Sequence, residues 1–230
     1  MIEQLKEWLK EENKQNVLLS LYTKLDKTIL QKIVDFGQAK SVLYDRCMFA
    51  RQYDVNCSVM RLLLDYNRYH EALSLVEHFE GKIDFNGFKV LDYGSGAGDY
   101  GVCFAKLGGK VTFYDFPNML VCPKKRFELF GFEGEFIVVP SNILDKEYDL
   151  IVFSEVLEHL ENPLQILKDC KSKYIFTTSY PYIPEETTYF DKTGHTTEAK
   201  NQAKDCREFL ASNYDYFALK GGHLLSVKPT

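Results

Sequence analysis

Val90-Leu91-Asp92-Tyr93-Gly94-Ser95-Gly96-Ala97-Gly98-Asp99-Tyr100-Gly101 carries an apolar run into a glycine-rich turn, and a helical pattern follows through Phe104 and Leu107. A short apolar run bounded by glycines reads as a strand. Glycine lets the backbone turn sharply and approach a ligand closely. The helix that follows offers free amides and a partial positive charge at its N-terminus. In an open α/β sheet this loop lies at the carboxyl end of its strand, where ligands bind. Gly96-x-Gly98-x-x-Gly101 formally satisfies a dinucleotide pattern, although its first glycine falls late for a tight strand-to-helix turn. The tighter frame is Asp92-x-Gly94-x-Gly96-x-Gly98. Its acid would repel a pyrophosphate and suit a ligand carrying an ammonium or sulfonium group. The plainer alternative is a structural turn.

Outward from this loop, short apolar runs alternate with helical stretches: Val90–Tyr93, Val111–Tyr114, Phe136–Val139, Leu150–Phe153 and Tyr174–Thr177. Alternation of this kind implies crossover units and a parallel sheet. The pattern changes at the end, where Tyr214–Lys220, Gly221-Gly222 and His223–Lys228 read as a hairpin. Upstream, residues 1–80 contain no proline and carry the helical period. Leu18, Leu21, Leu25, Ile29 and Ile33 predict one helix ending near Gly37. Val59, Leu62, Leu63, Tyr66, Tyr69, Leu73 and Val76 predict a long second one, with Asn56 or Ser58 as its cap. Ile2, Leu5, Trp8 and Leu9 form an apolar face suited to packing against the domain or lying on a membrane surface. The predicted division is a helical N-terminal region, 1–80, acting as cap or acceptor-binding element, and an α/β domain, 81–230.

Composition sets the outer bounds. The chain has 230 residues, with 28 Lys+Arg against 33 Asp+Glu, a balance of −5. Hydrophobic residues make up 45%, enough for one sizeable core and too many for a disordered chain. Any basic surface for nucleic acid must be local. None of the six cysteines forms a Cys-x-x-Cys pair, which argues against a zinc ribbon or redox motif; the even count allows three disulfides, but reduced thiols in a cytoplasmic protein are the expectation. The first residues lack an apolar signal core, and no apolar run is long enough to span a bilayer. The aromatic share is 14%, with 15 Tyr and 17 Phe.

The next strand supplies Asp115, 17 residues after Gly98, at a position where a carboxylate can accept both hydrogen bonds of a ribose diol. Asp92-x-Gly94-x-Gly96-x-Gly98 followed by Asp115 resembles class I S-adenosylmethionine-dependent methyltransferases, whose parallel sheet also ends in a reversed strand. Tyr148-Asp149-Leu150-Ile151-Val152-Phe153-Ser154-Glu155-Val156-Leu157-Glu158-His159-Leu160, then Asn162-Pro163, is similar to a subgroup with an E-V-L-E-H-L segment. That subgroup includes ubiquinone-pathway O-methyltransferases and small-RNA 2′-O-methyltransferases. The resemblance covers roughly residues 86–228. It implies a Rossmann-like, doubly wound, mostly parallel seven-stranded sheet with a terminal antiparallel hairpin. It also implies S-adenosylmethionine as cofactor and S-adenosylhomocysteine as product. By position, Gly94, Ser95, Gly96 and Gly98 would pass near the methionyl part and Asp92 near its ammonium, with Tyr93 also in the cofactor-binding set. Asp115 would hold the ribose and Phe116 would pack on adenine. Asn142 would stand where the family often has an acid near the adenine amino group, and Ser154 and Glu155 would lie beside the methyl group.

Glu155, Glu158 and His159 follow the fourth strand, and at helical spacing Glu155 shares a face with Glu158 or His159. His159 is a candidate base, with Glu155 as the second catalytic candidate, because an imidazole titrates near neutrality. The small-RNA enzymes imply an alternative in which Glu155, Glu158, His159 and the later His195 hold a divalent metal. His223 is the poorer choice for that last ligand. Metal is not the favoured reading, since Glu158 also serves as a first-turn acid at a helix start.

Methyl transfer from a sulfonium is an in-line displacement that mainly needs donor and acceptor held in line. The acceptor would be recognised outside the common sheet, by the N-terminal region and by residues 178–200. The latter stretch carries Tyr180, Pro181, Tyr182, Pro184, Tyr189, Phe190 and His195. Arg51, with Tyr44 and Tyr53, is a further candidate, more simply read as structural. The leading expectation is methyl transfer to an oxygen or nitrogen of a small molecule or a carbohydrate or lipid precursor. A metal-dependent RNA 2′-O-methyltransferase and a non-catalytic S-adenosylmethionine-binding protein are the alternatives. The acidic balance weighs against a nucleic-acid partner.

Overall fold

The computed structural model describes residues 2–8, 69–117, 119–178, 180–182, 195–219 and 223–229. The helix predicted over Leu18–Ile33, the caps Asn56 and Ser58, Cys47 and Cys57, and the Gly221-Gly222 turn lie outside the described residues. So do Tyr44, Arg51, Tyr53, Pro184, Tyr189 and Phe190.

Helices α1 (Ile2–Trp8) and α2 (Tyr69–Phe79) precede strand β1 (Lys89–Tyr93), helix α3 (Asp99–Lys106) and strand β2 (Lys110–Asp115). Helix α4 (Val121–Phe130), strands β3 (Gly134–Val138) and β4 (Tyr148–Phe153), and a 3-10 turn (Leu157–His159) come next. Helix α5 (Pro163–Asp169), strand β5 (Ser172–Thr177), helix α6 (Thr197–Asn213) and strands β6 (Asp215–Ala218) and β7 (Leu224–Val227) complete the order. The seven strands form one sheet in the order β3-β2-β1-β4-β5-β7-β6. The ladders from β3 through β5 are parallel, and β7 runs antiparallel to both β5 and β6. This is the expected mostly parallel, doubly wound sheet. The strand order reverses between β1 and β4, which is where such sheets open a crevice at their carboxyl edge.

Two-residue periodicity divides the strands between two cores. Val90, Phe113, Leu150, Val152 and Phe176 face Leu75, Phe79 and Phe104 of α2 and α3. Leu91, Tyr93, Ile151, Phe153 and Ile175 face Leu157, Leu167, Cys206 and Leu210. Both faces are covered, as a parallel sheet requires.

Helix ends follow local chemistry. Asn162 caps α5 by accepting from the Gln165 amide, with Pro163 in its first turn. Thr196 caps α6 by accepting from Ala199, and Gly131 closes α4 at φ 67°. The α1 face packs on the domain. Leu5 is 2% exposed, and the Trp8 ring meets Phe130 at 4.9 Å under the Lys106 ammonium at 4.4 Å. Lys6 also pairs with Glu77 of α2 at 2.8 Å. Cys103, Cys122, Cys170 and Cys206 are buried and form no disulfide. No described helix is long and apolar enough to cross a membrane.

Candidate functional site

A cavity of about 190 Å³ opens at the carboxyl edge of the sheet, over the ends of β1, β2 and β4. Tyr93 and Gly94 enter it from β1, Asp115 and Phe116 from β2, and Glu155, Val156 and His159 from the segment after β4. Met119, Val139 and Leu160 complete an apolar lining. The cavity thus joins two carboxylates, one exposed aromatic ring and one imidazole beside Gly94. Phe116 is 45% exposed, an unusual amount for a large ring in so aromatic a core.

The glycines meet steric demands that a side chain would violate. Gly94, Gly96 and Gly98 have φ of 68°, 53° and 78°, in the left-handed region. At Gly94 a Cβ would overlap the Val156 side chain, so β1 and the post-β4 segment approach with no room for a methyl. Asp115, 7% exposed, then fixes the loop: Oδ2 accepts from the Gly96 amide at 2.8 Å and Oδ1 from the Phe116 amide at 2.7 Å. Asp92 is 2% exposed and accepts from the Gly101 amide at 3.2 Å. Burial, with the nearby Asp115 charge adding to it, pushes its carboxyl up to about 8. The loop is braced from behind by a buried ion pair. Arg126 of α4 reaches Asp99 at 2.7 Å and donates to the Ala97 carbonyl.

The segment after β4 departs from the expected helix. Glu155 has φ 54°, the one non-glycine residue with positive φ among the described residues. Its amide donates to Thr178 Oγ1 at 2.9 Å. Such strain persists only where the surroundings over-determine it, and it clusters at functional sites. Because Glu155 turns the chain and Val156 is also non-helical, only Leu157–His159 form a 3-10 turn. The common helical face for Glu155 with Glu158 or His159 is therefore not formed. Instead Glu158, His159 and His195 converge, their ligand atoms all within 4.8 Å of one another. The two imidazole rings meet at 5.0 Å, and Glu158 is 1% exposed. The start of α6 holds His195 there: Thr196 donates through its amide to Glu158 O and through Oγ1 to Leu160 O.

Of the residues singled out from sequence, Tyr93, Gly94, Asp115, Phe116, Glu155 and His159 line the cavity. Asp92, Ser95, Gly96, Gly98 and Ser154 do not line it. Asn142 is elsewhere. It lines a neighbouring cavity beyond the Tyr93–Tyr114 pair and bonds Asp145, so Val139 occupies the β3 side of the first cavity. Met119, Val139 and Leu160 are additions of the structure, because an apolar residue in a loop carries no sequence signal that distinguishes a pocket wall from core.

Comparison with known proteins bears on this geometry. A family model described as a methyltransferase domain matches residues 64–174. A mouse (Mus musculus) protein, EEF1A lysine methyltransferase 3, is 47% identical over 50 residues, which cover 21% of this chain and 22% of that protein. The Xenopus tropicalis protein of the same name is 46% identical over 50 residues. The chain thus spans about a fifth of the length of these relatives. Among solved structures, magnesium protoporphyrin IX methyltransferase from Synechocystis, with bound S-adenosylhomocysteine, superposes with a TM-score of 0.53 at 16% identity. The match covers 89% of this chain and 100% of that one. An O-methyltransferase family protein from Burkholderia thailandensis gives 0.54 at 13% identity, over 85% and 70% of the two chains. At these identities the structures are alike in fold.

Proposed function

We propose that this chain is an S-adenosylmethionine-dependent methyltransferase that transfers a methyl group to an oxygen or nitrogen of a small acceptor. The observation that carries this reading is the cavity itself. Gly94 of the left-handed glycine loop at the end of β1, the Asp115 carboxylate at the end of β2, the exposed Phe116 ring and the strained Glu155 line it together. The match to a methyltransferase domain and the likeness in fold support it.

The residues fit the cofactor's chemistry. The Asp115 carboxylate has about four lone-pair directions, two of them spent on loop amides, and is placed to accept from a ribose diol. Phe116 and Met119 offer a face for a planar base. The buried Asp92 acid supports the loop that would carry the methionyl end, with Glu155 beside the methyl group and Ser154 adjoining it outside the cavity lining. When bound, the cofactor supplies an activated methyl, and the protein's part is to hold donor and acceptor in line. His159 lines the same cavity and contacts the acceptor. Proton transfer aside, catalysis here is positioning.

Calorimetry with S-adenosylhomocysteine tests this. Asp115→Ala should weaken binding by about 1–3 kcal/mol, the scale of lost charged hydrogen bonds. Unchanged affinity removes Asp115 from the ribose role, and no binding by the native chain removes the whole reading. His159→Ala should lower turnover while leaving that affinity unchanged.

A second reading rests on the Glu158–His159–His195 cluster. One carboxylate and two imidazoles form a three-ligand set with open positions, which suits a divalent first-row metal. A metal there would lower the pKa of an acceptor hydroxyl, as an RNA 2′-O-methyltransferase would require. Manganese titration of the full chain and of His195→Ala tests it. Binding lost in the variant supports the site, and no binding by the native chain removes it.

A further inference from the structure

The carboxyl edge of the sheet holds a second polar group that the cavity does not include. Ser154 follows β4 directly and adjoins Glu155. On the α2–α3 side of the sheet, Tyr100 Oη lies 3.4 Å from Ser154 Oγ and donates to Glu71 Oε2 at 2.7 Å. Glu71 Oε1 in turn lies 3.7 Å from His223 Nε2. Four elements build this line. Because β7 runs antiparallel to β5, with Leu224 opposite Thr177, its preceding residue His223 arrives at the same edge as Ser154. The α2 helix brings Glu71 and the first turn of α3 brings Tyr100.

The inner pair is more buried than the outer pair. Ser154 is 9% exposed and Tyr100 3%, whereas the side chains of Glu71 and His223 are 25% and 14% exposed. The Tyr100 ring packs on Phe176 of β5 at 5.3 Å, and Phe176 meets the His223 ring at 5.9 Å, so apolar groups flank the polar line. His223 Nδ1 is buried with no hydrogen-bond partner among the described residues, which leaves Nε2 to address Glu71. A hydroxyl, a phenol, a carboxylate and an imidazole thus stand in sequence from the strand tip outward. A tyrosine that donates to the carboxylate turns its oxygen lone pairs towards the serine, which gives the chain a direction.

We propose that Ser154, Tyr100, Glu71 and His223 form the path by which the acceptor's proton leaves the site. This rests on the methyl-transfer reading above. The acceptor's lone pair forms the new bond to carbon, and the carbon–sulfur pair stays with sulfur as a neutral thioether. The acceptor's proton passes to Ser154 Oγ, that of Ser154 to Tyr100 Oη and that of Tyr100 to Glu71 Oε2. The protonated Glu71 carboxyl then turns about its Cγ–Cδ bond, which carries that same proton to the Oε1 side, and releases it to His223 Nε2, so the positive charge lost from the sulfonium reappears as an imidazolium beside a carboxylate. Among the described residues, the titratable groups that face the imidazole are Glu71 from α2 and, through it, Tyr100 from α3. The β5 side presents the Phe176 ring.

The test uses the full chain with labelled histidine, Tyr100→Phe, which keeps the ring packing, and Glu71→Gln. Calorimetry first reports S-adenosylhomocysteine binding, expected for all three proteins. Saturation with that ligand should then shift the His223 ring resonances, read by NMR, in the native chain. It should not shift them in either variant. Transfer of tritiated methyl from S-adenosylmethionine into a cell extract, as a mixed source of acceptors, should fall at least about tenfold in both variants. An equal shift in native chain and variants, no shift in the native chain, or undiminished transfer overturns the path while the cofactor reading stands. No binding by the native chain overturns both.

Discussion

Replacing Gly94 with alanine separates two costs that the loop combines. The first is conformational: at φ 68° an L-residue pays about 1–2 kcal/mol for the left-handed region. The second is steric. The new Cβ overlaps Val156 Cγ2 and lies 3.0 Å from Cγ1, an overpacking that costs about 1–3 kcal/mol. The sum is about 2–5 kcal/mol of stability. Gly131 provides the control. It has nearly the same φ, 67°, but nothing lies within 4 Å of where its Cβ would stand, so Gly131→Ala should cost only the conformational part. Urea unfolding of both variants measures the difference. Val156→Ala placed in the Gly94→Ala background should recover the steric part, giving a coupling of about 1–3 kcal/mol. Equal costs at the two glycines, or no recovery in the double variant, would refute the reasoning that close approach of β1 to the post-β4 segment shapes the cavity. The same variants, titrated with S-adenosylhomocysteine, should show weakened binding at Gly94 alone.

Asp92 makes stability pH-dependent. Its folded value of about 8 lies above the ordinary value of 3.8, so the folded state holds the extra proton between them. That contribution is full below about pH 4 and is lost as pH rises through about 8, on the order of a few kcal/mol. Asp92→Asn should flatten this decline in urea midpoints measured across the window, and an unchanged slope would contradict it. Arg126→Met leaves Asp99 charged and buried, and should cost about 3–5 kcal/mol by the same assay. A loss under about 1 kcal/mol would show that the pair does not brace the loop. Trp8→Ala should cost about 3–5 kcal/mol if α1 is part of the core, and near nothing if it is a loose arm.

The parts of this architecture that local chemistry dictates are legible in the chain. Asp92, Gly94, Gly96 and Gly98 mark a strand-to-helix turn because only glycine tolerates that backbone, and Asp115 follows one crossover later. The alternation of apolar runs gives the parallel sheet, and the final turn region gives the reversed strand. What escapes is tertiary. The post-β4 segment reads as helix from Glu155, yet the bond from its amide to Thr178 pulls it out of the helical region. Asn142 stands at the expected distance after β3, but its amide serves Asp145 instead. Glu71, Tyr100 and His223 are separated by 29 and 123 residues, and no spacing rule links them. Their meeting depends on β7 running backwards into a parallel sheet. Met119 and Val139 owe their places in the cavity to where two loops fall.

The reversed strand also has a consequence for synthesis. β7 lies between β5 and β6 although it follows both in the chain. While a ribosome is still making the last of these residues, β5 presents an unpaired edge and β6 has no partner at all. An exposed strand edge is a template for pairing with another chain. Every turn of the α/β winding up to β5 can form in order as it emerges, but the sheet closes only after the final strand threads into its slot. Nascent chains waiting at that stage are the ones most exposed to misassembly, and the ones a chaperone would most usefully hold.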